Sequence, residues 1–309
     1  MRIVLLGTTQ LSLACFHTLL RMGMDVVGVV TTPGEIKISQ AGSRVNLVQH
    51  ADLVTASKRA GIPVIVAAEK LNQCVGFIQA LAPDFLLAVG WYSVVPSTIR
   101  NIPPLGSAGV HASLLPKYRG GAPINWALIN GEDRTGVTLF YLDEALDSGD
   151  IIAQAAFSIT LSDTCATLYE QVTKETQTLL ERSLPLLQQR RAPRVPQDER
   201  LASTYPLRRP EEGRIFWSLT AGQIHNWVRA LTRPYPGAFT WLKGQRVMVW
   251  KSSPPLLKKV EEPAGTILSV EPDHWIDVAA IDGVIRFSEL DNCPWELAHP
   301  GSRFSEEAL

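Results

Sequence analysis

Two short stretches carry residue types that can move a proton. In GVHASLLPKYRGG (residues 109–121) His111 follows small and apolar residues, and in LDSGD (146–150) Asp147 and Asp150 belong to an acidic turn. Imidazole titrates near neutral pH, and a carboxylate beside it can orient and polarise the ring, so the combination makes an acid–base pair. Each residue also has an ordinary reading: His111 as a core histidine with both nitrogens satisfied, the aspartates as turn residues bonding local backbone. The chain contains no G-x-S-x-G nucleophile elbow, no zinc-ligand spacing and no phosphate loop. That inventory suits proton transfer, as in acyl or formyl transfer to an amine, and not covalent or metal chemistry.

Residues so far apart meet only if the elements around them place them. RIVLLG (2–7) is a β-rich apolar run ending in glycine, and LSLACFHTLLRMG behind it has apolar residues at helical spacing. DVVGVVTT (25–32), IPVIVA (62–67), DFLLAVG (84–90) and SAGVHAS (107–113) repeat the buried-strand signal among helix-like segments such as LNQCVGFIQALA. The alternation implies an α/β fold, a doubly wound, Rossmann-like, mostly parallel sheet with right-handed crossovers. His111 then falls at the C-terminal end of a strand, the edge where ligand crevices form in such sheets. The first turn, GTTQLS, lacks the spaced glycines of a dinucleotide fingerprint, which argues against NAD.

TGVTLFYLD (135–143) and DIIAQAAFSIT (150–160) read as strands joined by EALDSG, followed by a long helix through DTCATLYEQVTKETQTLLERSLPLLQQ capped by Asp163. Residues 1–190 thus form one domain. Residues 191–205, RAPRVPQDERLASTY, are polar, hold two prolines and show no periodicity, as expected of a linker. In 206–309 a helix, TAGQIHNWVRALT, gives way to short alternating runs (RVMVWKS, GTILSV, WIDVAA, GVIRFSEL), the pattern of a small OB-like β-barrel.

At 309 residues, 46% apolar and 19% charged, the chain has the composition of a soluble globular protein with a sizeable core. Its 29 Lys plus Arg balance 30 Asp plus Glu, so no overall field favours phosphate backbones or anionic lipid. Cys15, Cys74, Cys165 and Cys293 are far apart and match no metal spacing. They read as reduced thiols of a cytoplasmic protein. The N-terminal apolar run stops at Gly7, and nowhere does an apolar run reach the ~18 residues of a membrane span, so neither export nor membrane insertion is expected.

HASLLPKYRGGAPINWALINGEDRTGVTLFYLDEALDSGDIIAQ (111–154) resembles the signature of the folate-dependent formyltransferases, the family of methionyl-tRNA formyltransferase and the sugar-amine N-formyltransferases. The match includes the 36-residue separation of His111 and Asp147 (147 − 111). It extends to the opening strand and helix, to the linker, and to YPLRRPEEGRIFWSL…IHNWVRALTRPYPGAFT, which is similar to the small barrel domain of these transferases. The resemblance implies a formyltransferase catalytic domain, an OB-like C-terminal domain, and formyl transfer from 10-formyltetrahydrofolate to a primary amine without a metal. It makes His111 the group that handles the amine's proton, with Asp147 raising its basicity and holding its orientation. It also implies that three segments enclose the pterin: Ser93, Val94 and Val95; Ser113, Leu114, Leu115 and Pro116; and Asp143, Glu144, Ala145 and Leu146 leading to Asp147.

The chain departs from the family at one position. The family's site is an Asn-x-His pair, and the Asn falls on Gly109, which has no side chain to donate to the oxyanion formed when an amine attacks a formyl carbon. Losing such a donor typically costs ~3 kcal/mol. Three readings follow: a transferase in which a backbone N–H, a water or Asn125 replaces the amide; a 10-formyltetrahydrofolate hydrolase releasing formate; or a folate- or partner-binding protein with little turnover. The retained His111 and Asp147 argue against the third.

For the acceptor, tRNA-formylating members are expected to carry a basic loop in the first domain. The corresponding TTPGEIKISQAGSRVNLVQHAD (31–52) holds Lys37 and Arg44 against Glu35 and Asp52, and residues 205–309 hold 12 Lys plus Arg against 13 Asp plus Glu. This charge pattern favours a small-molecule amine, such as an amino sugar, an amino acid derivative or a natural-product precursor, over methionyl-tRNA. Trp91, Tyr92, Tyr118 and Trp126 could flank a pterin or an acceptor, although packing is the ordinary use of such rings. Arg229 or Arg233 could reach the site from the second domain, or pair with carboxylates across the boundary.

Overall fold

The computed structural model describes the chain except residues 38–43, 47–48, 69, 257, 259, 273 and 309, so part of the stretch 31–52 lies outside the described residues. The chain forms two compact units. The first comprises Met1–Gly120, Gly136–Phe157 and Glu170–Thr204, and the second Gly121–Thr135, Ser158–Tyr169 and Tyr205–Leu309. Two internal stretches therefore group with the C-terminal residues.

Seven strands build the sheet of the first unit: β1 (Arg2–Gly7), β2 (Asp25–Thr31), β3 (Val64–Val66), β4 (Phe85–Val89), β5 (Ser107–His111), β6 (Arg134–Tyr141) and β7 (Ile151–Ser158), in the order β7-β6-β5-β4-β1-β2-β3. β5, β4, β1, β2 and β3 run parallel and β6 is antiparallel to β5. Continuous apolar runs explain the centre. Ile3–Leu6 and Phe85–Val89 are buried at every position because helices cover both faces of a parallel sheet, whereas burial alternates along the edge strand β7.

Helix α1 (Gln10–Arg21) starts with a capping box: Thr9 Oγ1 accepts from Ser12 N–H, and Ser12 Oγ accepts from Thr9 N–H. The hydroxyls of GTTQLS also tie this turn to the end of β4. Ser12 Oγ donates to Val89 O (2.6 Å) and Thr8 Oγ1 to Gly90 O (2.8 Å). Gly90 has φ +55°, and a Cβ there would stand 2.1 Å from Thr9 Oγ1, so the junction accepts only glycine.

Helix α2 (Cys165–Gln188) corrects one expectation. Its cap is Thr164, whose Oγ1 accepts from Thr167 N–H, because a capping side chain must directly precede the first helical residue. Asp163, one residue earlier, accepts from Thr160 N–H and Thr167 Oγ1. Gln177 and Glu181 of α2 bond Thr18 and Arg21 of α1.

The second unit holds a six-stranded antiparallel sheet made of β8 (Ala238–Leu242), β9 (Gln245–Ser252), β10 (Ile267–Glu271), β11 (Trp275–Ala280), β12 (Gly283–Asp291) and β13 (Phe304–Ser305), ordered β10-β11-β12-β9-β8-β13. The sheet curls on itself. Ile267 N–H donates to Ser302 O and Phe304 N–H to Gly265 O, which joins the two edges. Trp217, Phe287 and Phe304 pack at its centre, with the Trp217 and Phe304 rings stacked at 5.8 Å. Arg208 lies between Trp126 (4.9 Å) and Trp227 (4.7 Å). Among the described residues no helix is long and apolar enough to cross a membrane. None of the four cysteines is joined in a disulfide, and burial pushes the Cys165 thiol up to about 12.

In α3 (Ala221–Leu231) His225 is buried, its Nδ1 at Ser252 Oγ (2.8 Å) and its Nε2 at Leu161 O (2.9 Å). Burial lowers its pKa below the ordinary histidine value, and nearby Arg229 lowers it further. The unfolded chain therefore binds this proton more readily than the folded one, so the contribution of His225 is intact above the unfolded value and declines as pH falls below ~6.5. Thermal melts from pH 7.5 to 5.5 are expected to show falling stability, with a smaller acid-dependent fall in His225→Gln.

Candidate active site

Side chains alternate along a strand, so Gly109 and His111 project from the same face of β5. His111 is 8% exposed. Its Nε2 lies 2.6 Å from the carbonyl oxygen of Tyr118 and its Nδ1 lies 3.5 Å from Asp147 Oδ2. Both neighbours only accept, and the Tyr118 carbonyl is the one within hydrogen-bond distance, so Nε2 carries the proton and donates to it. In the neutral ring Nδ1 is then the basic nitrogen and faces the carboxylate.

Asp147 reaches His111 by an indirect path. Leu142 N–H donates to Ser107 O, so the chain leaves β6 beside the start of β5 and folds back to bring Asp147 to its end. Asp147 has φ +52°, a left-handed conformation that Asp tolerates better than most residues, and its Oδ2 accepts from Gly120 N–H at 2.8 Å. The loop after β5 is held in shape by its own polar groups: Ser113 Oγ donates to Lys117 O, Thr138 Oγ1 accepts from Leu115 N–H and donates to Ser113 O, and Gln154 Nε2 donates to Leu115 O.

The stretch 191–205, expected as a linker, fastens both sides of this pair. Gln197 Nε2 donates to Asp147 O (2.9 Å) and Gly149 O (2.8 Å), while its Oε1 accepts from Arg119. Arg119 is buried and also forks onto Glu199, whose carboxyl the Arg119 hydrogen bonds hold below the usual range. Ser203 Oγ accepts from Tyr118 N–H, and Ser203 O accepts from Arg119 N–H. Arg119, Gln197, Glu199 and Ser203 are the residues that reading the sequence missed, because polar residues without periodicity carry no signal for contacts made about 80 positions away.

His111, Asp147 and the Gly109 position come together. The space at Gly109 is apolar: a Cβ there would stand 2.8 Å from Leu142 Cδ2 and 3.1 Å from the Phe140 ring. Of the expected pterin-enclosing residues, Ser93, Val94 and Asp143 to Leu146 are exposed, with Val94 at 58% and Leu146 at 43%. Leu114 and Pro116 are half-buried. Val95, Ser113 and Leu115 are buried and support their loops. Trp91 and Tyr92 are half-buried and Tyr118 is buried. Asn125, Trp126, Arg229 and Arg233 belong to the second unit and have partners within it: Asn125 Nδ2 donates to Ala230 O, Trp126 Nε1 to Pro206 O, Arg229 to Thr160 O and Asp163 O, and Arg233 pairs with Glu289 and Asp291. Among the described residues, no group of three or more His, Cys, Asp or Glu is placed to hold a metal ion.

A model of the formyl transferase family matches residues 1–184, and a second, of the formyl transferase C-terminal domain, matches 208–293. The methionyl-tRNA formyltransferase of Desulforamulus reducens is 36% identical over 291 residues, covering 94% of this chain and 90% of that protein. That of Clostridioides difficile is 34% identical over 290 residues, covering 94% and 92%. Among solved structures, an N-formyltransferase from Helicobacter canadensis in complex with folinic acid and dTDP-3-aminofucose superposes with a TM-score of 0.72 at 18% identity, covering 94% of this chain and 99% of that one. HypX from Aquifex aeolicus in complex with tetrahydrofolic acid gives 0.62 at 19%, covering 94% and 44%.

Gly109→Asn alone is expected to lower stability by ~1–3 kcal/mol in urea unfolding, because the new side chain drives into Leu142 and Phe140, and adding Leu142→Ala is expected to recover part of the loss. Gln197→Ala strips acceptors and donors from a half-buried network, so a loss of ~1–3 kcal/mol is expected in the same measurement.

Proposed function

The chain belongs to the formyltransferase family, and from that premise we propose that it transfers the formyl group of 10-formyltetrahydrofolate to a primary amine on a small molecule. The observation that carries this reading is the His111–Asp147 pair, with Nδ1 turned to the carboxylate at 3.5 Å and Nε2 bonded to a main-chain carbonyl. As the amine nitrogen bonds to the formyl carbon, His111 Nδ1 takes its proton. Asp147, held by Gly120 N–H, stabilises the imidazolium. When the bond from that carbon to N10 breaks, His111 returns the proton to the departing nitrogen and the neutral ring is restored. The exposed apolar side chains of Val94 and Leu146 support a place for the pterin between their loops.

Charge supports the small acceptor. Twelve Lys plus Arg against 13 Asp plus Glu in residues 205–309, with 29 against 30 overall, provide no excess to neutralise an RNA backbone. A second reading, methionyl-tRNA as acceptor, is favoured by the 36% identity to the Desulforamulus reducens protein across 94% of the chain.

Tetrahydrofolate release from 10-formyltetrahydrofolate decides between them when measured without acceptor, with charged initiator tRNA, and with a pool of amino sugars and amino acid derivatives. Stimulation by the small amines, weakly dependent on salt and lost in His111→Ala, is the expected result. Stimulation by tRNA alone, falling steeply with salt, establishes the second reading. Acceptor-independent release of formate makes the protein a hydrolase, and the absence of His111-dependent release overturns the transferase reading.

A further inference from the structure

Resting on that reading, we propose that the indole N–H of Trp91 donates to the formyl oxygen as the amine adds. Addition turns a carbonyl oxygen into an oxyanion, and the step is fast only where a fixed donor meets it in a site shielded from water. Gly109 offers no side chain for this task, and the space beside it is filled by the apolar ends of Leu142 and Phe140. His111 Nε2 is committed to Tyr118 O, and Asn125 Nδ2 to Ala230 O.

Among the described residues, the buried side-chain nitrogens and oxygens without a hydrogen-bond partner are Thr31 Oγ1, Thr32 Oγ1, Ser57 Oγ, Trp91 Nε1, Asn125 Oδ1 and Arg208 Nε. Thr31 and Thr32 stand at the end of β2, separated from β5 by β4 and β1, and Ser57 lies on the helix Leu53–Arg59. Asn125 and Arg208 belong to the second unit, and the Asn125 atom only accepts. Trp91 alone among them follows β4, the strand beside β5.

Packing places Trp91 on the face of β4 that Gly109 shares. Ala88 pairs with Gly109, and side-by-side residues of neighbouring strands project to the same face. Ala88 belongs to a buried layer with Leu86, Val95 and Ile99, and Trp91 and Leu142 both pack against that layer. The indole therefore shares the layer that Gly109 faces and whose Leu142 reaches to 2.8 Å of its missing Cβ, and His111 projects from the same side of β5. The backbone before Trp91 is rigid, since Thr8 Oγ1 bonds Gly90 O and Ser12 Oγ bonds Val89 O. A buried N–H left without an acceptor is destabilising, and it is retained where a substrate oxygen supplies the acceptor.

Trp91→Phe keeps an aromatic ring and removes the donor. It is expected to lower kcat by about 100-fold with KM for the formyl donor unchanged, and Gly109→Asn with Leu142→Ala in that background is expected to restore at least tenfold of the loss. An unchanged kcat, or a loss that the amide does not recover, overturns the proposal. A readout independent of turnover is the Nε1–H resonance of Trp91, identified by its disappearance in Trp91→Phe, on saturation with 10-formyl-5,8-dideazafolate without acceptor. A downfield shift supports the contact and an unmoved resonance overturns it. A shift in a protein that releases no tetrahydrofolate with any acceptor refutes the transferase reading while leaving the contact standing.

Discussion

The first unit is organised around one buried imidazole with an acceptor on each side. The Tyr118 carbonyl lies 2.6 Å from Nε2, within hydrogen-bond reach, and the Asp147 carboxylate faces Nδ1 at 3.5 Å, so in the neutral tautomer the proton sits on Nε2, where its acceptor is close. Neither acceptor stands on the strand that carries His111. Tyr118 sits seven residues on, in a loop held by Thr138 and Gln154, and Asp147 sits 36 residues on, in a turn folded back from β6. The geometry of the ring therefore requires that both loops keep their shape.

The segment around Gln197 meets that requirement. One amide side chain bonds the carbonyls of Asp147 and Gly149 and accepts from Arg119, and Ser203 holds the backbone of Tyr118 and Arg119. Buried polar groups are costly when unpaired and strongly orienting when each has its partner, and Arg119, spread over Gln197 and Glu199, is such a group. A stretch with the composition of a linker thus acts as a brace. Its residues hold the two acceptors between which the His111 ring sits.

Gly109 changes the character of the site. Leu142 and Phe140 close over the glycine, so no side-chain donor stands at this position of the strand. Apolar surroundings strengthen charge interactions, and the His111–Asp147 pair lies on the strand face that these two side chains cover. The end of β4 is fixed by hydroxyls of the first turn, which makes it a firm support for such a donor.

Local pattern alone settled the strands, because uninterrupted apolar runs such as Ile3–Leu6 and Phe85–Val89 can be buried only at the centre of a covered sheet. It placed His111 at a strand end and, through the resemblance across 111–154, named Asp147 as its partner and Gly109 as the departure. It misplaced the cap of α2 by one residue and read the brace of 191–205 as a connector. Which nitrogen of His111 is basic, what occupies the space beside Gly109, and which buried donor lacks a partner were decided by the tertiary structure. The reason is physical: periodicity records which residues face the core, whereas hydrogen bonds among polar residues far apart in the chain follow distances that exist only after the chain has folded.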